Sequence, residues 1–177
     1  MKIKYYFYIM FFFSFDVFSC GGNKVNMADG INYIDLNGDG KKDMLVYAKF
    51  DNNTTHPSQT LTIFMKNKNN KYIIVPLPND DGFTWYDFKL SASEMKTQDY
   101  ELKIKEGAYY MIYSKKRNGN DIFGKYPVEF TRYDIKYNNE DAGISTYYWD
   151  YTHSYVTKNK YNNVSDAVEE YNARCKL

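Results

Sequence analysis

The chain is poor in the residues that most often announce an enzyme. Its 177 residues include two histidines and two cysteines, and neither pair is clustered. A zinc hydrolase needs about three protein ligands, commonly in spacings such as His-x-His or His-Glu-x-x-His. His56 and His153 stand in no such pattern. Glycine-rich phosphate loops and strained nucleophile elbows are missing as well. The sequence therefore predicts a protein that is not an enzyme. Charge of one sign is also lacking, with 23 basic against 22 acidic residues. Nothing in that balance steers the chain toward nucleic acid or an anionic membrane surface, and nucleic acid is excluded as a partner.

What is abundant is aromatic: 20 tyrosines and 12 phenylalanines, with four prolines and ten glycines for punctuation. Aromatic side chains pack well on pleated surfaces, so this composition favours strands. The length suits one domain with a real core. Short alternating runs recur after residue 30. Met44, Val46, Ala48 and Phe50 share one face, and Leu61, Ile63 and Met65 share another. Tyr100, Leu102 and Ile104 alternate with charged residues, then Lys105-Glu106-Gly107 turns into a run that should pair back on it. Val128 and Phe130 alternate in one phase while Tyr133, Ile135 and Tyr137 continue in the other, which predicts a bulge or a corner between sheets. Tyr147, Trp149, Tyr151, His153 and Tyr155 read as one long aromatic face. A helix is expected at the C-terminus, capped by Asn163, with Ala167, Val168 and Tyr171 as its buried stripe. The expected fold is mostly β: a single antiparallel, sandwich-like domain with a short C-terminal α-helix.

The first residues read as a targeting segment. Lys2 and Lys4 precede an apolar run from Tyr5 to Phe15, and small residues follow at Ser19-Cys20-Gly21. This is the order of a signal peptide, too short and wrongly flanked for a spanning helix. Residues 1–19 are assigned to it and residues 20–177 to the domain. Removing Lys2, Lys4 and Asp16 leaves 21 basic against 21 acidic residues. Two fates of Cys20 stay open. It resembles the lipidated cysteine of a bacterial lipobox, which would anchor the chain to a membrane. Alternatively, an exported Cys20 can pair with Cys175 and staple the termini.

Asp35-Leu36-Asn37-Gly38-Asp39-Gly40-Lys41-Lys42-Asp43 has the spacing of a calcium loop. Asp35, Asn37, Asp39 and Asp43 offer side-chain oxygens at positions 1, 3, 5 and 9, and Lys41 offers its carbonyl at position 7. Val46 stands where a full EF-hand has its bidentate acid, and the flanking runs are strand-like. The expectation is a structural calcium in a β-β connection, against the plainer reading of a polar hairpin turn. A second stretch runs from Asn79 to Phe88. Asp80, Asp81, Trp85 and Asp87 are its candidate ligand-binding residues, because aromatic faces beside oriented polar groups are what a small-ligand pocket uses. Ser93-Glu94-Met95-Lys96 matches Ser-x-x-Lys, but the companion elements of that serine chemistry are absent.

Several longer words carry a family resemblance. Ala28-Asp29-Gly30-Ile31-Asn32-Tyr33, the segment from Asp51 to Ser58, and Pro78-Asn79-Asp80-Asp81-Gly82-Phe83-Thr84-Trp85 are three of them. Leu90-Ser91-Ala92-Ser93, Phe130-Thr131-Arg132-Tyr133 and Tyr147-Tyr148-Trp149 are others. Together they resemble the carbapenem intrinsic-resistance proteins of the CarG type. The resemblance implies a β-sandwich-like protein of the periplasm that protects a carbapenem producer without hydrolysing the drug. It implies a carbapenem as partner, bound directly or kept from its target, and brings no residue roles with it. The rival reading is a calcium-stabilised surface lipoprotein that binds a protein or glycan. A homo-oligomer stays open in either case.

Overall fold

The computed structural model describes residues 21–175 apart from 52, 91, 92, 118 and 120. The expected signal peptide and Cys20 lie outside the described residues. The strands are β1 (Asn23–Lys24), β2 (Gly30–Ile34), β3 (Asp43–Phe50), β4 (Ser58–Lys66), β5 (Tyr72–Ile74), β6 (Thr84–Tyr86), β7 (Phe88–Lys89), β8 (Lys96–Lys105), β9 (Ala108–Lys116), β10 (Val128–Tyr137) and β11 (Tyr147–Val156). They form two antiparallel sheets. One runs β2-β3-β4, with β5 and β6 side by side along the far edge of β4. The other runs β8-β9-β10-β11, with β1 and β7 side by side along the free edge of β8. This is the mostly-β, sandwich-like domain that the alternation implied.

Local chemistry sets the hairpins. Glu106 and Gly107, both at positive φ (51° and 82°), form the two-residue connection between Lys105 and Ala108. Two positive φ values in a two-residue loop match the twist of the strands they join, so β8 and β9 pair without a break from the turn out to Gln98 and Lys115. In β3 and β4 the pleat decides the core. Leu45, Leu61, Ile63 and Met65 are buried between the sheets. Met44, Val46, Ala48 and Phe50 do share a face, but it is the outer one.

The second sheet is covered on both faces. Tyr100, Leu102, Met111, Tyr147 and Trp149 point into the core between the sheets. Tyr110, Ile112, Val128 and Phe130 point the other way and are capped by the C-terminal segment. There Val164–Ala167 make a 3-10 turn that leads into α1 (Val168–Arg174), and Asn163 caps the start by accepting from the Ser165 N–H (3.1 Å). Tyr171 stacks on Phe130 with ring centroids 4.5 Å apart.

This double covering explains two departures from the sequence reading. Val128 and Phe130 pack under the helix while Tyr133 and Ile135 pack between the sheets, so the change of phase in β10 marks two cores. The irregularity lies on the neighbouring strand. Arg132 pairs with His153 and Tyr133 with Tyr151, which leaves Thr152 as the extra residue in β11. A bulge turns the following side chains to the opposite face. The expected single aromatic face is therefore split: Tyr147 and Trp149 enter the inter-sheet core, Tyr155 joins the helix-side cluster, and Tyr151 is exposed.

Candidate functional site

At one end of the sandwich the sheets part around a cleft of about 450 Å³. The segment leaving β5 forms one wall. Pro78 starts a 3-10 turn, Asn79 takes a left-handed conformation (φ 61°), and the Leu77 N–H closes on the Gly82 carbonyl (2.7 Å). That closure sets Asp81 at the rim and delivers Trp85 inward on β6. The Trp85 ring lies 5.7 Å from Tyr113 on β9, 6.0 Å from Tyr133 on β10 and 5.7 Å from Trp149 on β11. Tilted and edge-on rings at such spacings are favourable, so this floor is rigid.

Polar groups are fixed on that floor. The Tyr113 hydroxyl donates to Gln98 Oε1 (2.8 Å), and Gln98 Nε2 donates to the Tyr86 carbonyl (3.1 Å). Burial, with Tyr86, Tyr133 and Asp81 nearby, pushes the Tyr113 phenol up to about 12. It remains a hydroxyl at any ordinary pH. Lys115, exposed on β9, puts an ammonium at the mouth. Aromatic walls, a held amide and one cation suit a compact ligand that carries a carboxylate.

The predicted ligand set is divided. Asp81 and Trp85 line the cleft, and Asp80 stands in the 3-10 turn beside them. Asp87 does not join them. It is the corner at which the chain leaves β6 in one sheet and enters β7 in the other, with 1% of its surface exposed. Gln98, Tyr113, Lys115 and Tyr133 were not anticipated, because strands far apart in sequence bring them together.

The acidic loop folds as a series of turns closed by its own side chains. Asp35 accepts from the N–H groups of Asp39 (3.1 Å) and Gly40 (2.8 Å). Asn37 accepts from Asp39 (3.2 Å), and Asp39 from Lys41 (2.9 Å). Asp43 behaves differently. It is buried, and its carboxylate takes the N–H groups of Leu36 (2.9 Å) and Lys66 (2.7 Å), tying the loop to β4. Burial raises the pKa of Asp43 against those two bonds, and the charges of Asp39 and Asp35 add to the rise. Asp35, Asn37, Asp39 and the Lys41 backbone thus share one turn, while Asp43 supports it from beneath. Among the described residues no three His, Cys, Asp or Glu side chains converge as a metal cluster.

The remaining candidates have structural partners. Ser93 Oγ accepts from the Met95 N–H (3.1 Å), and Lys96 is paired with Asp87 (2.9 Å) and Asp99 (2.8 Å). His153 is half-buried beside Arg132, and burial followed by that charge lowers its pKa. Cys175 ends the C-terminal helix, its N–H on the Tyr171 carbonyl (3.2 Å).

A family model described as "Carbapenem resistance protein CarG-like" matches residues 27–170, a span that takes in every described strand but β1 and reaches the first turn of the helix. The chain belongs to the CarG-like family. A solved structure titled "Crystal structure of CarG" agrees with it at 35% identity and a TM-score of 0.77, covering 84% of this chain and 94% of that one. No curated protein matches. The cleft and the acidic loop both lie within the span that defines this CarG-like chain.

Proposed function

We propose that this protein contributes to carbapenem resistance by holding the intact drug in the cleft around Trp85. Membership of the CarG-like family supports the drug class. The observation that carries the site is the aromatic floor of Trp85, Tyr113 and Tyr133 beneath the exposed ammonium of Lys115. A carbapenem is a compact bicycle with a carboxylate on its rim. In this reading the ring system lies against the aromatic floor, the carboxylate meets Lys115, and the hydroxyl of Tyr113 and the amide of Gln98 face the drug's polar edge. A cleft of about 450 Å³ falls within the usual size of small-molecule sites.

Binding without hydrolysis is part of the proposal. Attack on a lactam carbonyl needs a nucleophile beside a base. Here the Thr84 hydroxyl is paired with that of Thr62 (2.8 Å), and the Tyr113 hydroxyl with Gln98. Both bonds serve to hold the walls of the cleft. The protein acts after export, on the basis of the targeting segment at residues 1–19. A structural cation in the turn of Asp35, Asn37 and Asp39 belongs to the same reading, on the strength of its ligand spacing. The test is a titration of the purified chain with a carbapenem, following tryptophan fluorescence and drug absorbance together. Saturable quenching with unchanged absorbance is expected. Decay of the drug would make the chain an enzyme, and protection of cells without binding would favour shielding of the target.

A further inference from the structure

The two sheets differ in what covers their outer faces. The C-terminal segment packs on the outer face of the β8-β9-β10-β11 sheet. The outer face of the β2-β3-β4-β5 sheet has no such cover among the described residues, and yet it is apolar. Strand register lines up Tyr33, Met44, Phe64 and Ile74 in one row across all four strands, and sets Ile31 beside Val46 in the next. None of these six side chains belongs to either buried cluster. Ile31 and Tyr33 are 56% and 53% exposed, and Phe50 (60%) and Tyr72 (41%) extend the same face. An antiparallel sheet with one solvated face normally turns polar residues to the water. A contiguous apolar face marks a surface that meets another one.

Charge, size and shape choose the partner. The outward positions of these four strands carry no acid and one base, Lys66, whose ammonium lies over the Tyr72 ring, 5.8 Å from its centroid. Such a face offers nothing to a partner of either charge, and it can lie against its own likeness without like-charge repulsion. The chain as a whole does not repel itself either, with 21 basic against 21 acidic residues once residues 1–19 are removed. Four large side chains on the face stand about half exposed, at roughly 100 Å² each. The partly exposed residues among them bring the face toward the ~800 Å² per partner of a standard interface. Two twisted sheets stack face to face about 10 Å apart, as the two sheets of this chain already do. We infer that this face binds a second copy of the chain, in a two-fold dimer centred on Val46 and Phe64. Carbapenem binding in the aromatic cleft is a separate matter and does not enter this inference.

The experiment is sedimentation equilibrium of the mature chain, residues 20–177, from about 1 to about 100 µM, with non-reducing electrophoresis to set aside pairing through cysteine. The expected result is a reversible monomer–dimer equilibrium within that range. Val46→Lys puts two unpaired ammonium groups into the middle of the interface and should raise the dimer Kd at least about tenfold, with the melting of the dilute monomer unchanged. Ile31→Lys, at a position already exposed in the monomer, should weaken the dimer severalfold and decides the matter if Val46→Lys fails to fold. Tyr151→Lys, exposed on the other sheet, should dimerise like the parent chain. The mass of a monomer at every concentration would overturn the assignment, including the case in which the monomer adsorbs to lipid vesicles through this face instead. A dimer undiminished by Ile31→Lys and by a folded Val46→Lys, or one lost with Tyr151→Lys, would overturn it as well.

Discussion

Asp87 and Gln59 hold each other twice. The Asp87 N–H donates to the Gln59 carbonyl at 3.1 Å, and the Gln59 N–H donates back to Asp87 Oδ1 at 2.5 Å. The second carboxylate oxygen pairs with Lys96. This exchange pins β4 of one sheet to the residue at which the chain passes into the other. Asp87→Ala leaves the Gln59 N–H unmatched and Lys96 short of a partner, so it should destabilise the fold by about 3 kcal/mol. Asp87→Asn keeps the acceptor and should lose less. Denaturant midpoints at unchanged m-value measure both. A loss for Asp87→Ala in the range of a surface substitution, below about 0.5 kcal/mol, would contradict this role.

Glu170 gives the fold an acid limb. Its oxygens accept from the Tyr155 hydroxyl (2.7 Å), the Lys158 N–H (2.6 Å), the Tyr161 hydroxyl (2.9 Å) and the Asn159 amide (2.8 Å). Desolvation raises its pKa, but these bonds outweigh it and bring the carboxyl down to about 2. A depressed carboxylate stabilises the folded state above its ordinary value near 4.5, and that stability drains away as pH falls toward about 2. Glu170→Gln should be less stable near neutrality and should lose the slope of stability against pH in that window. Thermal midpoints taken across the window check it. An unchanged slope in the variant would show that other carboxylates carry the acid limb.

In the acidic loop, the proposed cation ligands and the buried structural acid Asp43 should respond differently to substitution. Asp35→Ala or Asp39→Ala should lower thermal stability in calcium and change little in chelator. Asp43→Ala should lower it in both, by about 2–3 kcal/mol, because it leaves the N–H groups of Leu36 and Lys66 without acceptors. Equal losses for Asp35→Ala in the two conditions would argue against a cation.

Lys115 tests the cleft without disturbing the core, since its side chain is exposed. Lys115→Ala should weaken carbapenem binding by about tenfold, the worth of one charge-assisted contact, with no change in melting. Lys115→Arg should restore most of the affinity. Trp85→Ala is the poorer probe, because the indole is also core and its loss should cost about 3–5 kcal/mol of stability.

The strands and the β8–β9 hairpin were legible because alternation and a two-residue turn are local signals. The partner of each face was not. Val128 and Tyr133 read as a break in phase because the helix that covers Phe130 comes from the far end of the chain. The aromatic run of β11 looked continuous because a bulge at Thr152 leaves no mark in period-two counting. In the cleft, Asp81 and Trp85 could be found beside their turn, whereas Tyr113, Lys115 and Tyr133 arrive through sheet register. Asp87 carried the right chemistry but belongs to another cavity, and only the crossing between sheets decides that.

The central claim is that the chain protects by holding an intact carbapenem. It is tested most directly by expressing the full chain, with its own targeting segment, in a susceptible host and measuring growth inhibition and residual drug in the same culture. The account predicts protection that saturates in proportion to the amount of protein, undegraded drug in the medium, and weaker protection from Lys115→Ala. Disappearance of the drug, or full protection by Lys115→Ala at equal protein level, would contradict it.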